Sequence, residues 1–264
     1  MRLYKRNVEM IIGESDGSAL SVTDLYMQFE IKKTISSTPN EGTATIYNLS
    51  DFTETRIKDS GTRIRIKGGY NGEAGLLFDG DVRKVEREKQ PPDRKTVITL
   101  GGNYVSLTEA VSNISYQGPV PVGRVLLDTI DTFGLAYAGL DSLPIAVLND
   151  FSFTGRTADL FDEILTPLGV QWYEDSGFVL FSEVGTSTEE VVLLNAASGM
   201  IGSPAVTDEG IKAVSLLNYN IRPGGRVKVE SELVTGIYKV TQLVYRGDNR
   251  EGDFFTEFLG AESE

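Results

Sequence analysis

The tightest constraint on this chain is a two-residue rhythm, broken at short intervals by turn residues, that fills its first hundred positions. Met27, Phe29 and Ile31 alternate with Gln28, Glu30 and Lys32, the pattern of a half-buried strand. Pro39-Asn40-Glu41-Gly42 breaks the run, and Ala44, Ile46 and Asn48 resume it through Thr43–Leu49. Upstream, Lys5–Ile12 is β-competent, and Asp16-Gly17-Ser18 supplies turn chemistry. Ser50 or Asp51 caps a short helix expected over Phe52–Asp59 and ended by Gly61. Ile64 and Ile66 then alternate with Arg63, Arg65 and Lys67, and Asn71-Gly72-Glu73-Ala74-Gly75 forms a hairpin turn. Phe78, Gly80 and Val82 share a face, but Val85 arrives one residue late, as a β-bulge at Arg83-Lys84 would produce. Pro91-Pro92-Asp93 turns the chain into Thr96–Leu100. Antiparallel strands with one short helix favour a barrel or sandwich over residues 1–105.

The period then changes. Val122, Val125, Leu126, Ile130 and Phe133 fall at helical spacing, with Gly134 as the stop. A second helix is expected over Arg156–Leu168, with Leu160, Phe161, Ile164, Leu165 and Leu168 on one stripe and Gly169 after it. A hairpin follows: Val170–Glu174, the turn Asp175-Ser176-Gly177, and Phe178–Ser182. Residues 106–185 therefore read as an inserted α+β domain. Beyond the Gly/Ser/Thr/Glu stretch Glu183–Glu190, strands return over residues 186–264: Val191–Leu194, Ile211–Leu217, Arg226–Glu230, Ile237–Arg246 and Asp253–Leu259. In the fourth of these, strict alternation puts Tyr238, Val240, Gln242 and Val244 on one face and Ile237, Leu243 and Tyr245 on the other. Both faces are largely apolar, so the strand is expected to be packed on each side or to lie in an interface. The expected fold is mainly β with the α+β domain between two β units.

Composition removes most chemistry. None of the 264 residues is His or Cys, which eliminates thiol nucleophiles, disulfides, Cys-ligated zinc and the commonest general base. Hydrophobic residues are 40% of the chain, enough for a core without staples. No run nears the ~20 apolar residues of a membrane span, so no membrane insertion is expected. The start, Met1-Arg2-Leu3-Tyr4-Lys5-Arg6, has no apolar run behind its positive charges, so the chain is expected to stay in the cytosol where it is made. A net charge of −13 disfavours binding to a phosphate backbone. It fits either plain solubility or a surface that lets nucleic acid pass without sticking.

Motifs that carry chemistry are scarce. There is no phosphate-loop or dinucleotide motif, and no nucleophile elbow. Asp79, Asp81 and the run Asp248-Asn249-Arg250-Glu251 are the nearest all-oxygen metal candidates, but neither has calcium-loop spacing. Paired carboxylates hydrolyse glycosidic bonds without His. Glu163, Glu174, Asp175 and Glu183 lie near Trp172 and Tyr173, which could stack on sugar. The competing reading, which weighs more, packs Trp172 on the neighbouring helix. No catalytic, cofactor or metal residue is assigned.

The blocks Phe29-Glu30-Ile31-Lys32-Lys33 and Pro39-Asn40-Glu41-Gly42-Thr43-Ala44-Thr45-Ile46-Tyr47-Asn48-Leu49-Ser50 resemble the opening of baseplate hub proteins of contractile-tailed bacteriophages. So do Lys67-Gly68-Gly69-Tyr70 and Leu77-Phe78-Asp79-Gly80-Asp81-Val82. Near the other end, Gly199-Met200-Ile201-Gly202-Ser203-Pro204, Thr207-Asp208-Glu209-Gly210, Ser215-Leu216-Leu217-Asn218, Ile221-Arg222-Pro223-Gly224 and Tyr245-Arg246-Gly247-Asp248 come in the matching order. The resemblance covers both β units. It implies two tail-tube-like β-barrel or sandwich domains and a homotrimer whose ring joins a six-fold tail tube to a three-fold spike. It also implies a channel for DNA ejection, in which DNA passes without specific binding. The implied partners are the spike, the tail tube protein, baseplate wedge proteins and the tape-measure protein. The implied location is the virion tail tip, after assembly in the host cytoplasm. On this reading lumen-facing carboxylates would keep DNA sliding, and Arg63, Arg65, Arg222 and Arg226 would serve inter-chain contacts. Two alternatives stay open: a hub of a non-contractile tail, and a tail-associated peptidoglycan hydrolase using Glu174 and Glu183.

Overall fold

A computed structural model describes residues 5–13, 19–57, 62–185 and 190–263. The expected turn at Asp16-Gly17-Ser18 and the expected helix end at Gly61 lie outside these residues, as do the first four residues. The first β unit comprises β1 (Arg6–Gly13), β2 (Ala19–Val22), β3 (Met27–Thr34), β4 (Glu41–Tyr47), α1 (Asp51–Arg56), β5 (Arg63–Tyr70), β6 (Glu73–Gln90) and β7 (Asp93–Gly101). The alternation expected for β3 is realised: Met27, Phe29 and Ile31 are buried. The Ser50 side chain accepts the Thr53 N–H and caps α1. The β5–β6 turn uses Asn71 and Gly72, both at positive φ (55° and 85°), the geometry that matches the twist of a two-residue hairpin. A register shift between Val82 and Lys84 marks the expected bulge.

The middle segment holds α2 (Tyr104–Glu109), β8 (Val111–Ser115), β9 (Pro119–Pro121), α3 (Val122–Ile130), β10 (Ala136–Ala138), β11 (Val147–Asn149), β12 (Ser152–Arg156), α4 (Thr157–Leu165), β13 (Val170–Asp175) and β14 (Phe178–Glu183). Both expected helices are present, and each tightens into a 3₁₀ turn (Asp131–Phe133 and Thr166–Leu168) before its glycine stop. Gly134 and Gly169 take φ of 64° and 69°, where a side chain would be strained. The stripes meet in a core of their own. There Trp172 stacks on Phe133 and meets Phe161 edge-on, while its Nε1 donates to Asp162 Oδ1 at 2.8 Å.

The last unit holds β15 (Val191–Leu194), β16 (Ala205–Thr207), β17 (Gly210–Leu216), β18 (Arg226–Glu230), β19 (Thr235–Asp248) and β20 (Phe254–Glu262). It does not stand apart from the first. Thirteen strands form one sheet, in the order β16-β17-β20-β19-β3-β4-β7-β6-β5-β1-β2, with β18 on β19 and β15 on β18. β19 makes this possible by its length. One edge takes β20; the opposite edge takes β18 along Thr235–Lys239 and β3 along Gln242–Asp248. A single core gathers Phe29, Ile31 and Ile46 from the first unit with Val240, Leu243 and Phe258 from the last.

One face assignment is corrected. The register of β19 against β20 shifts between Val240 and Gln242. One extra residue flips the alternation. Tyr238, Val240, Leu243 and Tyr245 therefore all point into the same core, where strict alternation puts them on opposite faces.

Gly247 sits opposite Phe29 at the β3–β19 seam, and a Cβ there would lie 2.1 Å from the buried Phe29 ring. Gly247→Ala is expected to destabilise the chain by about 1–3 kcal/mol through overpacking. Gly123→Ala, in α3 where a Cβ meets nothing within 4 Å, is expected to stabilise by about 0.5–1 kcal/mol. Chemical denaturation of the two variants checks the pair.

Candidate functional site

The α+β segment meets the sheet through a buried polar junction. Its tip is the β13–β14 turn, where Ser176 and Gly177 both take positive φ (53° and 93°). This sharp reversal leaves Glu174 and Asp175 at the end of β13, pushed against the first β unit. Asp175 forms an ion pair with Lys33, and both residues are buried. Lys33 Nζ also donates to Ser176 Oγ at 2.8 Å. Glu174, 2% exposed, is held by neutral donors: Asn103 Nδ2 at 2.7 Å and the Gly177 N–H at 2.8 Å, both to Oε1. Asn40 Nδ2 donates to the Glu174 carbonyl at 2.7 Å. Gly102 passes so close that a Cβ would lie 2.6 Å from Glu174 Oε2.

Asn103 extends the junction outward. Its Oδ1 accepts from Arg63 Nη1 at 2.6 Å. Arg63 and Arg65 both donate to Asp79, each at 2.7 Å, and Arg63 lies 3.5 Å from Asp81. A continuous chain of polar contacts thus runs Arg65–Asp79–Arg63–Asn103–Glu174. Nothing in sequence periodicity marks Asn40 or Asn103. Lys33 does leave a trace, because it occupies the inward register of Met27, Phe29 and Ile31 where an apolar residue belongs.

The two neighbouring carboxyls are tuned in opposite directions. Burial pushes the Glu174 carboxyl up, and the Gly177 N–H and Lys33 offset this only in part. Burial also acts on Asp175, but the Lys33 ammonium, its hydrogen bond and the Ser176 hydroxyl hold that carboxyl below its ordinary range. Burial raises Asp81 too. The pair is thus an aspartate held in its ionised form by one ammonium beside a glutamate whose ionisation burial makes harder.

The residues singled out in the sequence fall as follows. Arg63 and Arg65 come together on Asp79, half-exposed. Arg222 lies in the loop after β17, its Nε donating to the Tyr219 carbonyl at 3.3 Å, and Arg226 opens β18. Glu163 and Glu183 are exposed and Glu174 is buried. Strand register places Glu174 opposite Val179 and Glu183 opposite Val170. That offset of four residues along the hairpin is roughly 13 Å, beyond the ~5–9.5 Å between carboxylates that share a glycosidic bond. Asp79 and Asp81 face arginines. Asp248 accepts from Tyr26, Gln28 and the N–H groups of Arg250 and Glu251. Among the described residues no group of three acids is placed to hold a metal.

On the outward face of β3, β4, β7 and β19 lies a shallow groove of about 810 Å³. Its charges are mixed and partly paired: Arg246 meets Glu30 at 3.0 Å, and Lys32, Glu41 and Arg83 also line it.

A family model described as "Baseplate hub gp41" matches residues 7–260. No curated protein matches the chain. Among solved structures, a tail protein from Neisseria meningitidis MC58 superposes with a TM-score of 0.67 at 10% identity, covering 98% of this chain and 97% of that one. The 43 kDa tail protein of prophage MuSo2 from Shewanella oneidensis gives 0.65 at 7% identity, covering 96% of each. The Escherichia coli c3393 protein, described as a type VI secretion component structurally similar to T4 tail proteins gp27 and gp5, gives 0.64 at 11% identity. It is covered over 74% of its length by 90% of this chain. At these identities the likeness is one of fold.

The junction yields two expectations. Asp175→Asn leaves Lys33 buried without its counter-charge and is expected to cost about 3–5 kcal/mol. Glu174 behaves oppositely. A carboxyl raised on folding contributes most stability at low pH and loses it as pH rises through the folded value. Glu174→Gln is therefore expected to stabilise the chain at neutral pH and to flatten its decline above the ordinary glutamate range. Urea unfolding across a pH series measures both.

Proposed function

Because the chain belongs to the baseplate hub gp41 family, and so is a structural component of a tail baseplate, we propose that it forms a trimeric ring. That ring joins the six-fold tail tube to the three-fold spike. The observation that carries this reading is the shared sheet. Two β units fused through β3 and β19 over one core make a rigid body that presents two tube-like modules at a fixed angle. Three such bodies supply six modules, which is what a ring between a six-fold tube and a three-fold spike requires. The proposed divisions are residues 1–105 and 186–264 for the tube-like modules and 106–185 for the inserted α+β domain.

The likeness to a type VI secretion component related to T4 gp27 and gp5 supports a spike as the partner on one side. The tail tube protein is the partner on the other, with baseplate wedge and tape-measure proteins beyond. DNA passes through the bore without specific binding. The outward groove face carries mixed charges, Glu30 paired with Arg246 beside Glu41 and Asp253, so the net charge of −13 that would repel DNA is spread over the chain rather than gathered there. The chain assembles in the host cytoplasm and ends in the virion.

The reading includes no catalytic step. The burial of Glu174 and its ties to Asn103 and Gly177 support a role in holding the α+β segment. Electron microscopy of the purified chain with its spike is expected to show three-fold rings around an open bore. A stable monomer that ignores the spike would overturn the proposal, as would clearing of cell wall in a zymogram that Glu174→Gln abolishes.

A further inference from the structure

The last β unit has two open edges, and they differ in chemistry. Its strands run β15-β18-β19-β20-β17-β16; among the described residues β15 pairs only with β18, and β16 only with β17. At the first edge, Val191, Arg226 and Lys239 stand in one register row across three strands. Val227, Val229, Tyr238 and Val240 fill the core, so this row faces away from it. Lys239 is 4% exposed, and its Nζ has no hydrogen-bond partner among the described residues. A second cation, Arg226, stands directly opposite it, a like-charge juxtaposition that disfavours the sheet. Burial pushes the Lys239 ammonium down. Beside the row, Val191 and Leu193 of the edge strand are exposed.

The other edge is the complement. The β16–β17 hairpin carries Val206, 74% exposed, and its tip is Asp208 and Glu209, both exposed. One edge is thus apolar and cationic, the other apolar and anionic. A head-to-tail ring needs two unlike surfaces that fit each other.

We propose that the β16–β17 hairpin of one copy seats against the β15–β18 edge of the next, its Asp208 and Glu209 carboxylates pairing with Lys239 and Arg226. Val206 packs against Val191 and Leu193. The four-carbon stem of Lys239 gives its ammonium the reach to turn outward when the carboxylates arrive. A lysine that has no hydrogen-bond partner among the described residues then gains one in the assembly. This inference rests on the ring proposed above and names the contact that closes it.

The test is sedimentation and native mass over a concentration series. It compares the parent chain, Lys239→Met, the pair Asp208→Asn with Glu209→Gln, and all three changes together. Each variant is expected to weaken self-association at least ~10-fold. The combined variant is expected to be no weaker than either alone, since both remove the same contact. Lys239→Met should unfold at a temperature no lower than the parent's. Because the hairpin tip is exposed, its variant folds whatever happens at Lys239 and carries the test alone if needed. Parent-like association of either variant, or losses that multiply, would overturn the pairing and leave the ring standing. A parent chain that stays monomeric at every concentration, with its spike as well as without, would overturn the ring itself.

Discussion

Everything else in this molecule is arranged around the length of β19. A strand of 14 residues has one edge long enough to serve two partners in succession. β18 takes the first part and β3 the second, while β20 follows the other edge. The bulge between Val240 and Gln242 falls where the partners change. Without the extra residue there, Leu243 and Tyr245 would leave the core and the hydrogen-bonded seam would have no apolar backing. Backbone pairing and burial therefore depend on the same insertion.

The seam explains why the first and last thirds of the chain behave as one body. Their inward side chains mix in a single core, and contacts cross it far from the seam as well: Tyr70 meets Phe254 edge-on and donates to its carbonyl. The α+β segment has a separate core and is attached differently, by hydrogen bonds and one buried ion pair. Such contacts are directional and costly to leave half-made, so they fix orientation more than they add stability. The labour is divided within the chain: apolar packing supplies the strength, and the polar junction supplies the geometry.

The tuning of Glu174 and Asp175 follows from there being one ammonium for two carboxyls. Lys33 goes to Asp175, and Glu174 is left with amide donors. Arg63 and Arg65 are drawn into the same network through Asn103 and Asp79. Their role within the chain is thereby specified in addition to any contact they make with a neighbour. At the far side of the last unit the logic is inverted. There Lys239 is buried, and its Nζ has no hydrogen-bond partner among the described residues.

Much of this protein is legible in its sequence, because the signals are local. Period-two runs give β3, β4 and β5; glycines at Gly134 and Gly169 end the helices where a left-handed residue is needed; the late Val85 betrays the bulge in β6. The family resemblance rests on the same turn and strand motifs. What the sequence does not determine is any pairing between distant segments. No pattern in β19 says that β3, more than two hundred positions earlier, lies along its second half, and its own bulge is hidden because both alternations look equally apolar. Asn40, Asn103 and Lys239 are equally silent. An amide or ammonium has no periodicity, and its significance depends wholly on what tertiary structure places, or fails to place, within hydrogen-bonding distance.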